Sequence, residues 1–262
     1  MNGSVIVSVL VAAIIFMVLP NKDANSLSLL LQPTAICVVL GGTLVASFIN
    51  FSATTVLVSA KSAFESFRKK KNNKIVIIDE IIQIAYFARH NSLLELENIV
   101  EKIQNPFLKR GLQLAIDVDN PQFLHDILSA EIAYDEEQEL INSRVFEAMG
   151  GYAPTFGIVG AVLGLVQAMS YIQQPEVLAN GIAIAFIATL YGVGVANLVF
   201  LPVAGKMKLR LREEVLFKEA VLQAILSITM GENPAIIEEK LIAYLKYNNK
   251  KYPKTLRSEH RV

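Results

Sequence analysis

Residues 153–172 read APTFGIVGAVLGLVQAMSYI: twenty positions without a charge, a proline at 154 and glycines at 157, 160 and 164. At 1.5 Å per helical residue, twenty residues cover about 30 Å, the thickness of bilayer hydrocarbon. The stretch therefore reads as a membrane crossing, although it is rich in helix-weakening residues and holds nothing that binds an ion. It is one of four such blocks. The chain has 262 residues, 53% of them hydrophobic, and the apolar excess is concentrated rather than spread. Met1–Asn21 is the first block, broken by Pro20; no Lys or Arg precedes it and no small-residue cleavage pattern ends it, so it reads as a span and not a signal peptide. The second lies inside the charge-free run Ala24–Ala60, too long for one crossing, with Pro33 placed to begin the helix, which then runs on past the membrane. Ala148–Pro175 and Val177–Gly205 complete the set.

Orientation follows from basic residues, which stay on the cytoplasmic side. Residues 61–150 hold 11 Lys and Arg, residues 205–262 hold 12, and Lys22 is the one that remains. Both termini and the central loop are thus expected in the cytoplasm. The net formal charge is zero, which argues against nucleic acid as a partner. The single cysteine, Cys37, falls in the second span, forms no internal disulfide and is expected to pack.

The loop alternates helical periodicity with turn signals. The basic run RKKKNNK (68–74) is either a solvated face or an inner-leaflet anchor. A helix is expected from about Ile75 to Arg89, and SLLE (92–95) is a capping box that opens the next. Asn-Pro at 105–106 and 120–121 punctuates further helices, and the pattern from Gln122 to Met149 is helical up to Gly150-Gly151 at the membrane. Beyond the fourth block, KMKLRLREE keeps a helical period, so that helix continues into the cytoplasm until GENP (231–234) stops it; a last helix runs from about Ala235 to Tyr247, and the tail reads as disordered.

No catalytic constellation is present. His90, His125 and His260 are scattered without metal-ligand spacing, and no phosphate-binding glycine loop occurs, so neither an enzyme, a metal site nor a cofactor is expected. The spans contain no Asp, Glu, Lys, Arg or His. A protein that relays ions alone places ionisable groups at depth, so either this chain does not conduct or another subunit supplies the titrating group. The polar residues at depth are Thr43, Asn50, Thr155, Gln167, Thr189, Tyr191 and Asn197, and the plainest reading of each is a helix–helix hydrogen bond.

Small residues let helices approach closely in lipid. Gly160 and Gly164 form a GxxxG pair, and Ala188, Gly192 and Ala196 repeat the spacing in the fourth block. APTFGIVGAVLGLVQAM followed by GIAIAFIATLYGVGVANLVFLPVAGKM resembles the third and fourth spans of the flagellar stator MotA/PomA family. PTAICVVLGGT, ARHNSLLELE and SITMGENP extend the likeness over nearly the whole chain. The two-span match alone is shared with TolQ and ExbB; the four-span layout and ARHNSLLELE favour MotA. The loop sequence DVDNP (117–121) departs from the DG common there and alters only a turn.

The resemblance implies an all-α integral membrane protein of the bacterial inner membrane. It would comprise an N-terminal hairpin (1–60), a cytoplasmic helical domain (61–150), a second hairpin (151–204) and a cytoplasmic extension and tail (205–262). It implies five copies around two MotB-like subunits that carry the membrane Asp, and contact with the rotor's switch protein. By the same resemblance Arg89 and Glu97 meet the rotor, Pro154 and Pro202 couple ion passage to movement, and Gly157, Gly160, Gly164 and Gly192 close the helix packing. Ala161, Ala188 and Thr189 are the partner-facing positions of the ion pathway. Sodium-driven relatives resemble one another in carrying threonine at two places on this wall; here one is Thr189 and the other is Ala161. A sodium ion needs several oxygens to replace its water, so the implied ion is the proton. The rival readings are a TolQ/ExbB-like energy transducer and a packing scaffold without ion coupling.

Overall fold

The computed structural model describes residues 31–68, 74–91, 93–118 and 120–247. The first expected span, most of the basic run after Arg68, the capping Ser92, Asp119 and the C-terminal tail lie outside these residues. Every regular element among the described residues is helical. They are α1 (Pro33–Asn50), α2 (Ala53–Phe67), α3 (Lys74–His90), a short turn of 3₁₀ and α-helix (Leu93–Leu96, Glu97–Val100), α4 (Pro106–Asp117), α5 (Pro121–Met169), α6 (Pro175–Thr229) and α7 (Pro234–Tyr247). Three of them, α1, α5 and α6, are long and apolar enough to cross a membrane.

The described helices gather into two compact units, one formed by residues 31–68 with 139–210, the other by described residues between 74 and 138 with 211–247. In the first, Pro33 is the opening residue of α1, as its fixed φ favours. The chain does not run on unbroken past Asn50. Phe51 is extended, and the Ser52 side chain accepts the Thr55 N–H at 3.1 Å, so a new helix, α2, starts there. Cys37 is exposed on the chain rather than packed, inside a π turn, Cys37–Gly41. Ala35, Ile187 and Ala188 pack together; Val39, Ala153 and Ala196 form a second layer, and Val56, Val145 and Met149 a third. Ser59, Asn142 and Glu139 tie α2 to α5: Ser59 Oγ donates to Asn142 Oδ1 at 3.1 Å, and Ser62 Oγ to Glu139 Oε2 at 3.0 Å.

Helix α5 does not stop at the membrane boundary read from the sequence: Gly150-Gly151 and Pro154 lie inside a single helix of 49 residues. A proline inside a helix removes one hydrogen bond, and the helix continues where neighbours hold both sides. Gly150 is buried, its missing side chain replaced by Leu201. Pro202 also lies within a helix, directly after the π turn Ala196–Phe200. That wider turn gives room for a ring that would otherwise press on the carbonyl one turn back.

The second unit has an aliphatic core. Ile78, Ile81 and Ile82 of α3, Leu108 and Leu112 of α4, Leu124 and Leu128 of α5, Ile225 of α6, and Ile237 and Leu241 of α7 are all fully buried. Their spacings of three and four put each set on one helix face. Asn105 caps α4, accepting the Leu108 N–H at 2.9 Å, with Pro106 in the first turn. The GENP stop is a Schellman turn. Gly231 has φ 68°, its N–H reaches the Ile228 carbonyl, and the Glu232 N–H reaches the Ser227 carbonyl.

Candidate functional site

The α5–α6 hairpin meets along its glycines. A Cβ on Gly157 would stand 3.0 Å from the Ala188 carbonyl oxygen and 3.2 Å from Gly192 Cα. One on Gly160 would reach Ala188 Cβ at 2.9 Å, and one on Gly164 would reach Ala185 Cβ at 3.3 Å. Gly192 is the tightest of the four: its Cβ would lie 2.6 Å from the Ala153 carbonyl oxygen and 3.2 Å from Pro154 Cα. The GxxxG pair is thus spent within the chain, bringing the two spans backbone to backbone. Sequence reading stopped the α6 stripe too early. Gly181, whose Cβ would meet Ala168 Cβ at 2.6 Å, and Ala185 extend it toward the start of α6 at steps of four and three. Gly42, closed by the Phe156 ring, has no partner in spacing and left no signal in the sequence.

The three pathway positions separate. Ala188 has no exposed surface; Ala35, Ile187 and Gly160 enclose it. Ala161 and Thr189 keep partial exposure, and Thr189 Oγ1 donates to the Ala185 carbonyl of its own helix at 3.3 Å. The same habit recurs in other polar residues at depth. Thr43 bonds back to Val39, Thr155 to Tyr152 and Asn197 to Val193. Among the described residues these four make no helix–helix hydrogen bond: glycine and alanine close the α5–α6 contact, and each polar group bonds to its own preceding turn.

In the second unit Arg89 and Glu97 are both exposed. Arg89 is also a structural group: its guanidinium donates to the Gly231 carbonyl at the end of α6, where a cation is favoured by the helix dipole. Lys240 holds the same turn from α7, 2.6 Å from Glu232 Oε2 and 3.0 Å from Ser227 Oγ. Hydrogen bonding to Lys240, and then to Ser227, holds the Glu232 carboxyl below its ordinary value. Glu97 borders a cleft of about 360 Å³ with Glu101, Arg110, Gln113 and Asp117. Among the described residues no three of His, Cys, Asp and Glu come together to hold a metal.

The profile of the MotA/TolQ/ExbB proton channel family matches residues 99–220. Motility protein A of Bacillus subtilis (strain 168) is 35% identical over 225 residues, 84% of this chain and 82% of that protein. The structure of the flagellar MotAB stator complex from Bacillus subtilis superposes with a TM-score of 0.82 at 31% identity, covering 97% of this chain and 98% of that one. The structure of C. jejuni MotAB gives 0.84 at 26% identity, over 94% and 96%. On the agreement of profile, relative and fold, the chain belongs to the MotA/TolQ/ExbB proton channel family.

Proposed function

We propose that this chain is the A-type subunit of a flagellar stator, a torque-generating unit that couples inward proton flow to rotation of the rotor. The observation that carries the reading is the near-complete likeness to MotAB stator subunits together with spans that hold no Asp, Glu, Lys, Arg or His of their own. An unpaired charge at mid-membrane costs roughly 2.5–3.5 kcal/mol or more. The titrating carboxyl therefore belongs to a MotB-like partner, and this chain supplies the wall it moves along. Five copies surround two partner subunits in the bacterial inner membrane, with four spans in each copy and both termini and the helical loop domain in the cytoplasm.

Partial exposure of Ala161 and Thr189 on the hairpin supports their place on that wall. One hydroxyl and one methyl group are a poor sodium shell, whereas a protonated carboxyl needs only a hydrogen-bond partner. Pro154 and Pro202 couple ion passage to motion, each removing a backbone bond near the cytoplasmic end of its span. Arg89 and Glu97 face the rotor's switch protein. The test is swimming under controlled ion gradients. Motility is lost on deletion, survives removal of sodium and collapses with a protonophore. Speed that tracks external sodium at constant proton-motive force overturns the ion, and normal swimming of the deletion strain overturns the stator.

A further inference from the structure

Two exposed apolar side chains flank the turn between α6 and α7: Met230 is 56% exposed and Ile236 49%. One such residue on a surface is ordinary, but a pair set beside a fixed charge marks a place for a partner. The charge is Arg89, whose guanidinium donates to the carbonyl of Gly231, the residue next to Met230. The end of α3 and the α6–α7 turn therefore form one surface.

The turn is held from several sides. Gly231, at φ 68°, closes α6 with its N–H on the Ile228 carbonyl. Asn233 Oδ1 accepts the Ala235 N–H at 3.0 Å and opens α7. Lys240 reaches Glu232 Oε2 at 2.6 Å and Ser227 Oγ at 3.0 Å. These polar groups are engaged with one another, whereas Met230 and Ile236 point their apolar surface outward. Side chains fixed in this way lose little freedom on binding. Residues 206–229 place eight charges between the last uncharged span and this turn, so lipid does not cover it. The cover is a protein face, apolar where it meets Met230 and Ile236, with a carboxylate for the N–H groups of Arg89 that the Gly231 carbonyl does not take.

We propose that Met230 and Ile236 are the apolar centre of the surface that meets the rotor's switch protein, with Arg89 at its edge, an inference that rests on the rotor contact proposed above for Arg89. Ion pairs at an exposed edge are weak singly and screened by salt. An apolar centre supplies the affinity, and the charge selects partner and register. Two half-covered side chains make a small contact, which suits a surface that must release one copy of the switch protein and take the next. The flexible thioether of Met230 adapts to each.

The test uses cells that swim on this stator. Met230→Gln with Ile236→Gln keeps the size and removes the apolar contact. Covering a half-exposed side chain of this kind is worth about fivefold in affinity, so the pair loses roughly twenty-fivefold. Swimming speed falls, while the complex purified with its B-type partner melts within about 2 °C of wild type, as exposed substitutions do. Met230→Leu with Ile236→Val swims as wild type. So does Val76→Gln with Tyr134→Gln, at positions 65% and 66% exposed in the same unit. Normal swimming of the first pair, a lowered melting temperature, or equal loss in either of the other pairs overturns the proposal. A photoreactive benzophenone amino acid at position 230 identifies what covers the turn. It forms an adduct with the rotor switch protein, recognised by antibody, and Ile236→Gln lowers the yield about fivefold. An adduct with a second copy of this chain, or no adduct, overturns it. A deletion strain that swims normally rejects the stator reading and this surface with it. A deletion strain that does not swim, with no adduct at 230, rejects the surface alone.

Discussion

Replacing Gly192 by alanine tests whether backbone contact holds the hairpin. The added Cβ would stand 2.6 Å from the Ala153 carbonyl oxygen, 3.0 Å from Gly157 Cα and 3.2 Å from Pro154 Cα. Ordinary contact begins near 3.4 Å, so one helix must withdraw by roughly 0.8 Å, and no flexible side chain is available to yield instead. Overpacking of this kind costs about 1–3 kcal/mol. Alanine also favours the helix over glycine by about 0.8–1.0 kcal/mol, which masks part of the cost. Gly151→Ala and Gly205→Ala remove that ambiguity. Both glycines are helical, and a Cβ at either meets nothing within 4 Å. The propensity gain cancels in the comparison and the packing cost remains. Purified with its partner and melted in detergent, Gly192→Ala should unfold roughly 2–12 °C below the two controls, at about 2–4 °C per kcal/mol for a chain of this size. Melting within 1 °C of the controls would refute the argument that this contact is backbone to backbone.

Three further outcomes are expected. Arg89→Glu loses the bond to the Gly231 carbonyl and lowers both thermal stability and swimming speed, whereas Glu97→Lys, on an exposed face, lowers speed with melting unchanged; equal melting of the two variants would remove the structural role of Arg89. Glu232 has its folded pKa below the ordinary value of 4.5, so its pairing with Lys240 stabilises the turn above that pH and is lost as pH falls through the folded value. Lys240→Met should therefore melt lower than wild type at neutral pH and converge with it in acid, and parallel curves would contradict the pairing. Pro154→Ala restores a donor to the Gly150 carbonyl and should leave assembly intact while slowing rotation; normal swimming at normal expression would show that the proline is passive.

The chemistry of the hairpin was legible in the sequence because it depends on what is missing. An uncharged span, glycines at 157, 160 and 164 and small residues at 188, 192 and 196 need no coordinates to be recognised as a close contact. The helices of the second unit were legible for a different reason: apolar spacings of three and four in α3 and α4, and Asn-Pro caps, report local structure directly. The breaks were misread. Gly150-Gly151 and Pro154 carry strong local signals for a helix end, yet α5 passes through all three. Glycine and proline weaken a helix only relative to its surroundings, and Leu201 of α6 occupies the space that Gly150 leaves. The π turn at Ala196–Phe200 had no sequence signal beyond Pro202, and the break at Phe51–Ser52 depended on one hydroxyl reaching one N–H.

What no apolar pattern distinguishes is lipid from protein. In the most apolar 18-residue stretches of α1, α5 and α6, only 22, 33 and 28% of residues are buried within the chain. Val159, Val162 and Val166 of α5 are 47, 53 and 63% exposed, and a bilayer or a neighbouring subunit would satisfy them equally. Polar residues break the tie, because lipid cannot hydrogen-bond. Ala188, placed on the pathway by its neighbour Thr189, is enclosed within the chain. Asn197 is exposed in a stripe of leucine and valine with its amide oxygen open. On α6 the exposed amide is thus the position that lipid cannot satisfy, whereas the small residues at 185, 188 and 192 face inward and hold the hairpin shut.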